Sequence, residues 1–234
     1  MASGKVTQID TNFADQCNND HVLSPDGMSI AVSHHTWEDG QSRIYKLPLA
    51  GGKPELITPI APSYLHGWSP DGKTLAYCAE RNGQYDVFTI PVTGGIETQL
   101  TNEVSLDDGP EYSPCGKYIW FNSTRSALMQ IWRMDADGAN PVQITKDEAN
   151  NWFAHLSPNG KRAVYISYKK GDVEPNSHPP NKNVAIRMFS VDDAENGIND
   201  LVTLAEFFGG QGSLNVNSWS PDNKTIAFVS YRKK

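Results

Sequence analysis

The 234-residue sequence lacks the features that mark membrane, nucleic-acid-binding and exported proteins. No apolar run approaches the roughly 18 residues of a membrane-spanning helix. Lysine and arginine number 20 against 27 acidic residues, and the net charge of −7 disfavours a nucleic-acid partner, which requires a basic face. Residues 1–4 have neither the basic nor the apolar region of a signal peptide, so the start of the chain does not indicate a compartment.

Cysteine and helical periodicity are also scarce. Cys17, Cys78 and Cys115 are odd in number and show no metal-ligand spacing, which excludes a disulfide framework and a cysteine-based metal site. Stretches with a period of about 3.6 residues that are free of glycine and proline are absent, which excludes an array of helical repeats.

The sequence does contain a recurring turn motif, Ser-Pro-Asp-Gly, ahead of short apolar segments. Complete copies begin at Ser24 and Ser69, and degenerate copies begin at Ser113, Ser157 and Ser220. The first four serines recur at intervals of about 44 residues, and a period of that length indicates an array of similar supersecondary units.

The second copy shows how one unit is built. Proline presets the first corner of the turn 70–72, and glycine accepts its positive φ. An apolar strand at 74–78 follows, then an alternating strand at 85–90, a Gly-Gly hairpin and a closing strand at 98–101. Together with the segment 65–69 before the turn, this makes four strands, A to D. Four antiparallel strands per repeat are typical of a β-propeller.

The sequence therefore predicts an all-β propeller of four-stranded antiparallel blades, five of them recognisable. Complete blades are predicted at 19–58, 63–101, 107–145 and 151–205. A partial fifth blade is predicted at 214–231, with an N-terminal strand at 5–9. Two closures are open: a five-bladed ring with one thin blade, which we favour, or a truncated six-bladed ring. An open edge in the second case would favour a homo-oligomer.

The repeat also resembles that of a known family. Ser-Pro-Asp-Gly-Lys, then Ile-(Tyr/Trp)-x-(Leu/Met), a glycine turn and Gln-(Leu/Ile)-Thr resemble the WD-repeat-like units of the TolB-like propellers, most clearly at 68–101 and 112–145. The resemblance spans nearly the whole chain and implies the fold. It does not select one function, because scaffolds, peptidase gates and carbohydrate-active enzymes share this repeat.

The topology assigns the loops to two faces. The Ser-Pro-Asp-Gly and Gly-Gly turns share one face, the turn face. The loops before strand A and after strand B share the other, the channel face, which contains nearly every residue that departs from the repeat. His21 and His66 lie three residues before their turn serines, and Glu111 and His155 lie two before. Because strand A is innermost, we expect these four side chains around the channel mouth.

These residue types suit metal or acid–base chemistry. His21, His66 and His155, with Asp108, Glu111 or Gln211, form a candidate divalent-metal or acid–base cluster, with Mn, Zn or Ca as the ion. The simpler alternative is that they hydrogen-bond to neighbouring blades and channel water. The predicted ligand-binding residues are His21, His34, His66, Arg81, Arg125, Asn151, Trp152, His155, His178 and Gln211.

Two functions compete. The resemblance to the Tol-Pal propeller implies a periplasmic or secreted binding module that presents a channel to a protein partner, which we prefer. TolB-like repeats are also found in oligogalacturonate lyases, and that resemblance implies a metal held by His21, His66, His155 and Gln211, with Arg81 or Arg125 pairing with a sugar carboxylate. Asp108 and Glu111 would instead be the acid and base of a glycoside hydrolase. A peptidase gate is a third possibility, although no Gly-x-Ser-x-Gly motif is present.

Overall fold

Antiparallel β-sheet dominates the computed structural model, which describes residues 6–192 and 194–232. Four four-stranded sheets follow one another in chain order, and we call them blades 1 to 4. Blade 1 contains β1 (Cys17–Leu23), β2 (Ser29–His35), β3 (Ser42–Pro48) and β4 (Glu55–Leu56). Blade 2 contains β5 (Ser63–Trp68), β6 (Thr74–Arg81), β7 (Gln84–Pro91) and β8 (Thr98–Gln99).

Blades 3 and 4 repeat this order. Blade 3 contains β9 (Asp107–Tyr112), β10 (Tyr118–Ser126), β11 (Leu128–Asp135) and β12 (Val142–Gln143). Blade 4 contains β13 (Asn150–Leu156), β14 (Arg162–Tyr168), β15 (Lys182–Ser190) and β16 (Val202–Gly209), with a short 3₁₀ helix at Ala194–Asn196. The all-β class and the four-stranded antiparallel blades predicted from the repeat are confirmed.

The recurring turn joins the first strand of each blade to the second. In blade 2, Ser69 Oγ donates to Asp71 Oδ1 at 2.6 Å and accepts from Thr74 N at 2.9 Å. Gly72 N donates to Ser69 O, and Gly72 adopts a φ of 75°. The serine therefore closes the turn and is not available as a nucleophile.

Apolar side chains pack between successive blades. Leu65 and Tyr77 of blade 2 share one cluster with Ala31 and Ile44 of blade 1. A second cluster joins Trp120 of blade 3 to residues of blade 4. Full burial of a side chain such as Leu65 or Ile44 contributes about 1.5–3 kcal/mol to the stability. The innermost strands also meet, since β1 contacts β5, β5 contacts β9 and β9 contacts β13, so these four strands surround one channel.

The predicted partial blade lacks a sheet of its own in the described residues. Its turn forms, with Ser220 Oγ 2.6 Å from Asp222 Oδ1, but a single bridge between Trp219 and Ile226 replaces the ladder. The predicted N-terminal strand at 5–9 includes Lys5, which lies outside the described residues, and residues 6–9 are not a strand. Ile9 packs instead against the core of blade 1.

Every innermost strand bulges at the channel. Three residues of β1, Asn18 to Asp20, oppose one residue of β2, and His66 of β5 is left outside the ladder. In β9 Gly109 and Pro110 oppose one residue of β10, and in β13 Phe153 and Ala154 oppose one residue of β14. Bulges of this kind bend a strand and turn its side chains in a new direction. Residues 6–192 and 194–232 contain no helix with the length and hydropathy that a membrane crossing requires.

We expect Gly109→Ala to destabilise the fold by about 2–4 kcal/mol, because φ is +62° and a Cβ would collide with Asn122 Nδ2 and lie 2.8 Å from Phe153 Cδ1. Gly27→Ala is the matched control, since Gly27 has a φ of +69° with no atom within 4 Å of the added Cβ. Gly27→Ala should lower the free energy of unfolding by only about 1 kcal/mol. Urea unfolding of both variants measures the difference, and equal losses would contradict close packing at this bulge.

Candidate functional site

A cavity of about 830 Å³ lies at the channel face, where the bulges of the innermost strands meet the loops. Among the described residues, its lining contains carboxylate, imidazole, carboxamide and phenol groups and no lysine or arginine. The polar and aromatic residues that line it are Asn18, Asn19, Asp20, His35, Tyr64, His66, Gln84, Tyr85, Ser105, Asp108, Phe153, Asn176, His178, Gln211 and Asn215. Asn18, Asn19, Asp20, His66 and Phe153 are bulge residues, so the bulges supply much of this wall.

A buried ion pair between blades 2 and 3 lies in this wall. His66 Nε2 is 3.2 Å from Asp108 Oδ1, and both side chains are largely buried. Burial lowers the pKa of His66, but Asp108, Asp20 and Glu111 outweigh it and hold that pKa above its ordinary value. Burial likewise raises the pKa of Asp108, but His66 and His178 outweigh it and lower that pKa to about 2. Asp108 is therefore ionised at neutral pH.

Asp20 is a second carboxylate in the same wall. It is only 6% exposed, and its backbone N–H donates to Asn18 Oδ1 at 2.8 Å. Burial raises the pKa of Asp20, and the charge of Asp108 raises it further, against the opposing effects of His66 and Asn18. Two carboxyl groups, of Asp20 and Asp108, thus lie in the cavity wall with the imidazole of His66.

The insertion between β14 and β15 also reaches the cavity. His178 Nε2 is 3.9 Å from Asp108 Oδ2, and His178 Nδ1 contacts Gln211 Oε1. The imidazole ring lies 4.3 Å from the ring of Trp152, centroid to centroid. Burial lowers the pKa of His178, so this imidazole is predominantly neutral at neutral pH. The insertion therefore brings His178 next to Asp108, and Gln211, in the loop after β16, contacts His178.

Phe153 supplies an aromatic surface. Its ring stacks on His66 at 5.6 Å between centroids, with 19° between the planes. Its positive φ of 55° is held by a bond from its backbone N–H to Asn122 Oδ1 at 2.8 Å. Tyr64 and Tyr85 form a second aromatic wall, with ring centroids 6.5 Å apart.

The structure does not bring the predicted metal ligands together. His21 is exposed and bonds through Nδ1 to Asn19 O. His155 uses both ring nitrogens, with Nδ1 2.6 Å from Glu111 Oε2 and Nε2 3.1 Å from Leu214 O. Within residues 6–192 and 194–232, no group of three or more histidine, cysteine, aspartate or glutamate side chains has metal-binding geometry. Of the four predicted ligands, His66 and Gln211 line the cavity.

The structure also separates the two residues of the predicted acid–base pair. Asp108 lines the cavity, but Glu111 is held between blades, where it accepts bonds from Leu156 N at 3.1 Å and Asn217 Nδ2 at 2.8 Å as well as contacting His155. The cavity carboxylate next to Asp108 is Asp20. Counting back from the turn serines missed it because the regular ladder of β1 extends to His21, one residue further from the turn than in β5.

The predicted arginines lie in the blades and not in the cavity wall. Arg81 Nε is 2.7 Å from Glu97 Oε1, and its Nη1 donates to Pro62 O at 3.0 Å. Arg125 Nη2 is 2.6 Å from Asp107 Oδ2, and its guanidinium lies over the ring of Trp132. Neither guanidinium is free for a sugar carboxylate in this arrangement.

The other predicted binding residues are buried and do not line the cavity. His34 is buried, and its Nδ1 accepts from Gln16 N at 3.2 Å. Asn151 is buried and donates to Gln130 and Asp147. Trp152 is fully buried behind His178.

Comparison with known proteins agrees with this architecture. Residues 22–187 match the family model of the TolB beta propeller domain. The chain belongs to this family. An uncharacterized protein of Agrobacterium fabrum is 43% identical over 224 residues, which is 96% of this chain and 73% of that protein. A solved structure from Agrobacterium tumefaciens, provisionally assigned as TolB, superposes with a TM-score of 0.89 at 43% identity. The match covers 97% of this chain and 78% of the chain in that structure.

A more distant relative carries a functional name. The Tol-Pal system protein TolB of Francisella tularensis is 29% identical over 171 residues. The match covers 71% of this chain and 39% of that protein, so this TolB-domain chain spans less than half of it.

We expect Asp108→Asn to lower the pKa of His66, because burial then acts without the carboxylate that opposes it. In the wild type, the pKa of His66 is higher in the folded than in the unfolded state, so protonated His66 stabilises the fold below the unfolded-state pKa. This stabilisation is lost as the pH rises through the folded-state pKa. NMR titration of the imidazole measures the shift. Asp71→Asn is the control, since Asn159 occupies the same turn position in blade 4; an equal effect of both variants would refute the pairing.

His155→Ala should cost about 2–4 kcal/mol of unfolding free energy, because it removes the imidazole partner of the largely buried Glu111 carboxylate. His21→Ala should change stability by no more than about 0.5 kcal/mol, because that side chain is exposed. Guanidinium unfolding of the two variants distinguishes them. If His155→Ala left the free energy of unfolding unchanged, this histidine would have no structural role.

Proposed function

We propose that the protein is a binding module that takes a segment of a protein partner into the cavity on its channel face. The observation that supports this most directly is the cavity of about 830 Å³ with its mixed polar and aromatic lining. Ligand sites commonly measure about 300–1,000 Å³ and combine apolar surface with a few placed polar groups. Tyrosine, asparagine and glutamine in this wall provide rigid contact area and hydrogen bonds that suit a peptide.

The chemistry of the wall favours binding over catalysis. Cys78, the one thiol in the described lining, donates to Asp107 O at 3.4 Å, and burial raises its pKa well above the ordinary value. A thiol in that state is a poor nucleophile. Asp108 is engaged by His66 and by Gly109 N at 2.7 Å, so its two main partners already stabilise its charge.

Family membership supports a protein partner. The Francisella tularensis relative is named for the Tol-Pal system, and we extend a role in protein assembly, in the periplasm as the family resemblance implies, to this chain. We also propose that residues 214–231 form the first two strands of a fifth blade. Their turn repeats the Ser-Pro-Asp bonds, and Trp219 Nε1 donates to His155 O at 3.1 Å, which ties this hairpin to blade 4.

One observation favours a second candidate, hydrolysis of a neutral oligosaccharide. Asp20 and Asp108 line the same cavity with pKa values displaced in opposite directions, the first raised mainly by burial and the second lowered to about 2 by the two histidines. A pair displaced in this way can divide the roles of acid and base. The absence of lysine and arginine from the described lining disfavours an acidic sugar.

Selection from a random peptide library displayed on phage tests the binding function. We expect enriched sequences whose synthetic peptides bind the wild type and lose about tenfold or more in affinity for Tyr64→Ala, which removes one aromatic wall. Cys115→Ser on the turn face should bind like the wild type, because Cys115 occupies a turn position remote from the cavity.

Isothermal titration calorimetry measures these affinities on variants shown to be folded by circular dichroism. Peptides that bind Tyr64→Ala as tightly as the wild type, or a selection that enriches nothing, would contradict the proposal. Release of reducing ends from neutral oligosaccharides would instead support the second candidate.

A further inference from the structure

We propose that the cavity recognises a protonated amine of its partner, a lysine side chain or a free amino terminus, through the carboxylate of Asp20. This inference rests on the proposed function and specifies the chemistry of the segment that enters the cavity. It follows from the position of Asp20, the charge of its surroundings and an unsatisfied amide beside it.

Asp20 is a carboxylate that the bulge of β1 places in the wall of a large cavity. It is 6% exposed, and among the described residues neither lysine nor arginine lines that cavity. The side chain that hydrogen-bonds to it is the neutral Asn18. Burial of a carboxylate without a cation is costly, and natural proteins normally provide a partner.

The ionisable groups that act on Asp20 do not include a cationic partner of its own. His66, Asp108 and His21 act on it, and of these His66 is already bonded to Asp108 at 3.2 Å. His178, on the far side of Asp108, is predominantly neutral because burial lowers its pKa. Asp20 and Asp108 therefore share the imidazole of His66, and an ammonium ion bound at Asp20 would give this carboxyl group a cationic partner of its own. Burial raises the pKa of Asp20 in the free protein, and a bound cation would oppose that shift.

A second, independent feature points to a peptide-like ligand. Asn19, next to Asp20 and also in the cavity wall, has a buried Nδ2 with no hydrogen-bond acceptor in the described structure. A buried donor without an acceptor is costly, and a ligand carbonyl oxygen would satisfy it. A lysine residue or an amino-terminal residue offers an ammonium and a carbonyl group within a few bonds of each other.

The aromatic wall suits the remainder of such a ligand. Tyr64 and Tyr85 lie with ring centroids 6.5 Å apart and both line the cavity. Aromatic faces attract cations and also pack against the methylene stem of lysine. The net charge of −7 would in addition attract a basic partner over longer distances.

The test uses four short peptides with amidated carboxyl termini as probes and the full chain as the receptor. Acetyl-Ala-Lys-Ala-amide presents a side-chain ammonium, and Ala-Ala-Ala-amide presents an amino terminus. Acetyl-Ala-norleucine-Ala-amide keeps the lysine stem without the charge, and acetyl-Ala-Glu-Ala-amide reverses the charge. Amide chemical-shift changes of Asn19, Asp20 and Tyr64 on titration give the affinity of each probe.

We expect at least one cationic probe to bind about tenfold or more tightly than the norleucine probe, and the stronger of the two cationic probes identifies the source of the amine. Asp20→Asn should abolish this preference, whereas Asp71→Asn on the turn face should keep it. Affinity for the cationic probe should fall as pH decreases and Asp20 gains its proton, while affinity for the norleucine probe should change less. Added salt should weaken only the cationic probes.

The outcomes separate this inference from the function on which it rests. Equal affinities of the lysine and norleucine probes for the wild type would overturn the amine proposal and leave peptide binding in place. An unchanged preference in Asp20→Asn would also overturn it. If Asp20→Asn does not fold, the comparison of probes and the salt dependence on the wild type decide. Absence of shifts with every probe, together with an empty library selection, would instead refute the binding function.

Discussion

The four innermost strands share one narrow channel, and each of them leaves the regular antiparallel ladder where it reaches that channel. Relative to the partner strand, β1 has two extra residues at this point, and β5, β9 and β13 have one each. A regular strand would direct alternate side chains into the packed interfaces between blades. The bulges instead place Asn18 to Asp20, His66 and Phe153 in the wall of the cavity. The cavity and its chemistry both depend on this local departure from regular structure.

Residues of the same chemical types have different roles on either side of the bulges. His155 and Glu111 lie on the regular ladder and connect blades 3 and 4 with a buried contact of 2.6 Å. His66 and Asp108 form a comparable pair but face the cavity. Arg125 and Asp107 again belong to the blade, since the carboxylate is fully buried. Burial of a charged pair brings little net stability, so the cost of the cavity-facing pair is better explained by ligand recognition than by folding.

Much of the fold was predictable, because the Ser-Pro-Asp-Gly turn fixes where each strand A meets strand B and the period fixes the blade. The site was less predictable for a physical reason. Counting back from Ser24 selected His21, but the ladder of β1 runs one residue further than that of β5, so Asp20 faces the cavity and His21 faces solvent. The backbone decides where a bulge lies, and short-range sequence patterns do not encode the number of extra residues. His178 was identifiable because long insertions on a repeat scaffold commonly have functional roles, and Gln211 because it lies in a loop of the channel face.

The central claim is that a partner segment occupies the cavity beside Asp20 and His66. The most direct measurement is a crystal structure of the protein with a peptide obtained by library selection. The account predicts electron density for the peptide between the Tyr64–Tyr85 wall and Phe153, with an ammonium group at the Asp20 carboxylate. Peptide density on the turn face, or along the outer edge of a blade with an unoccupied cavity, would contradict it.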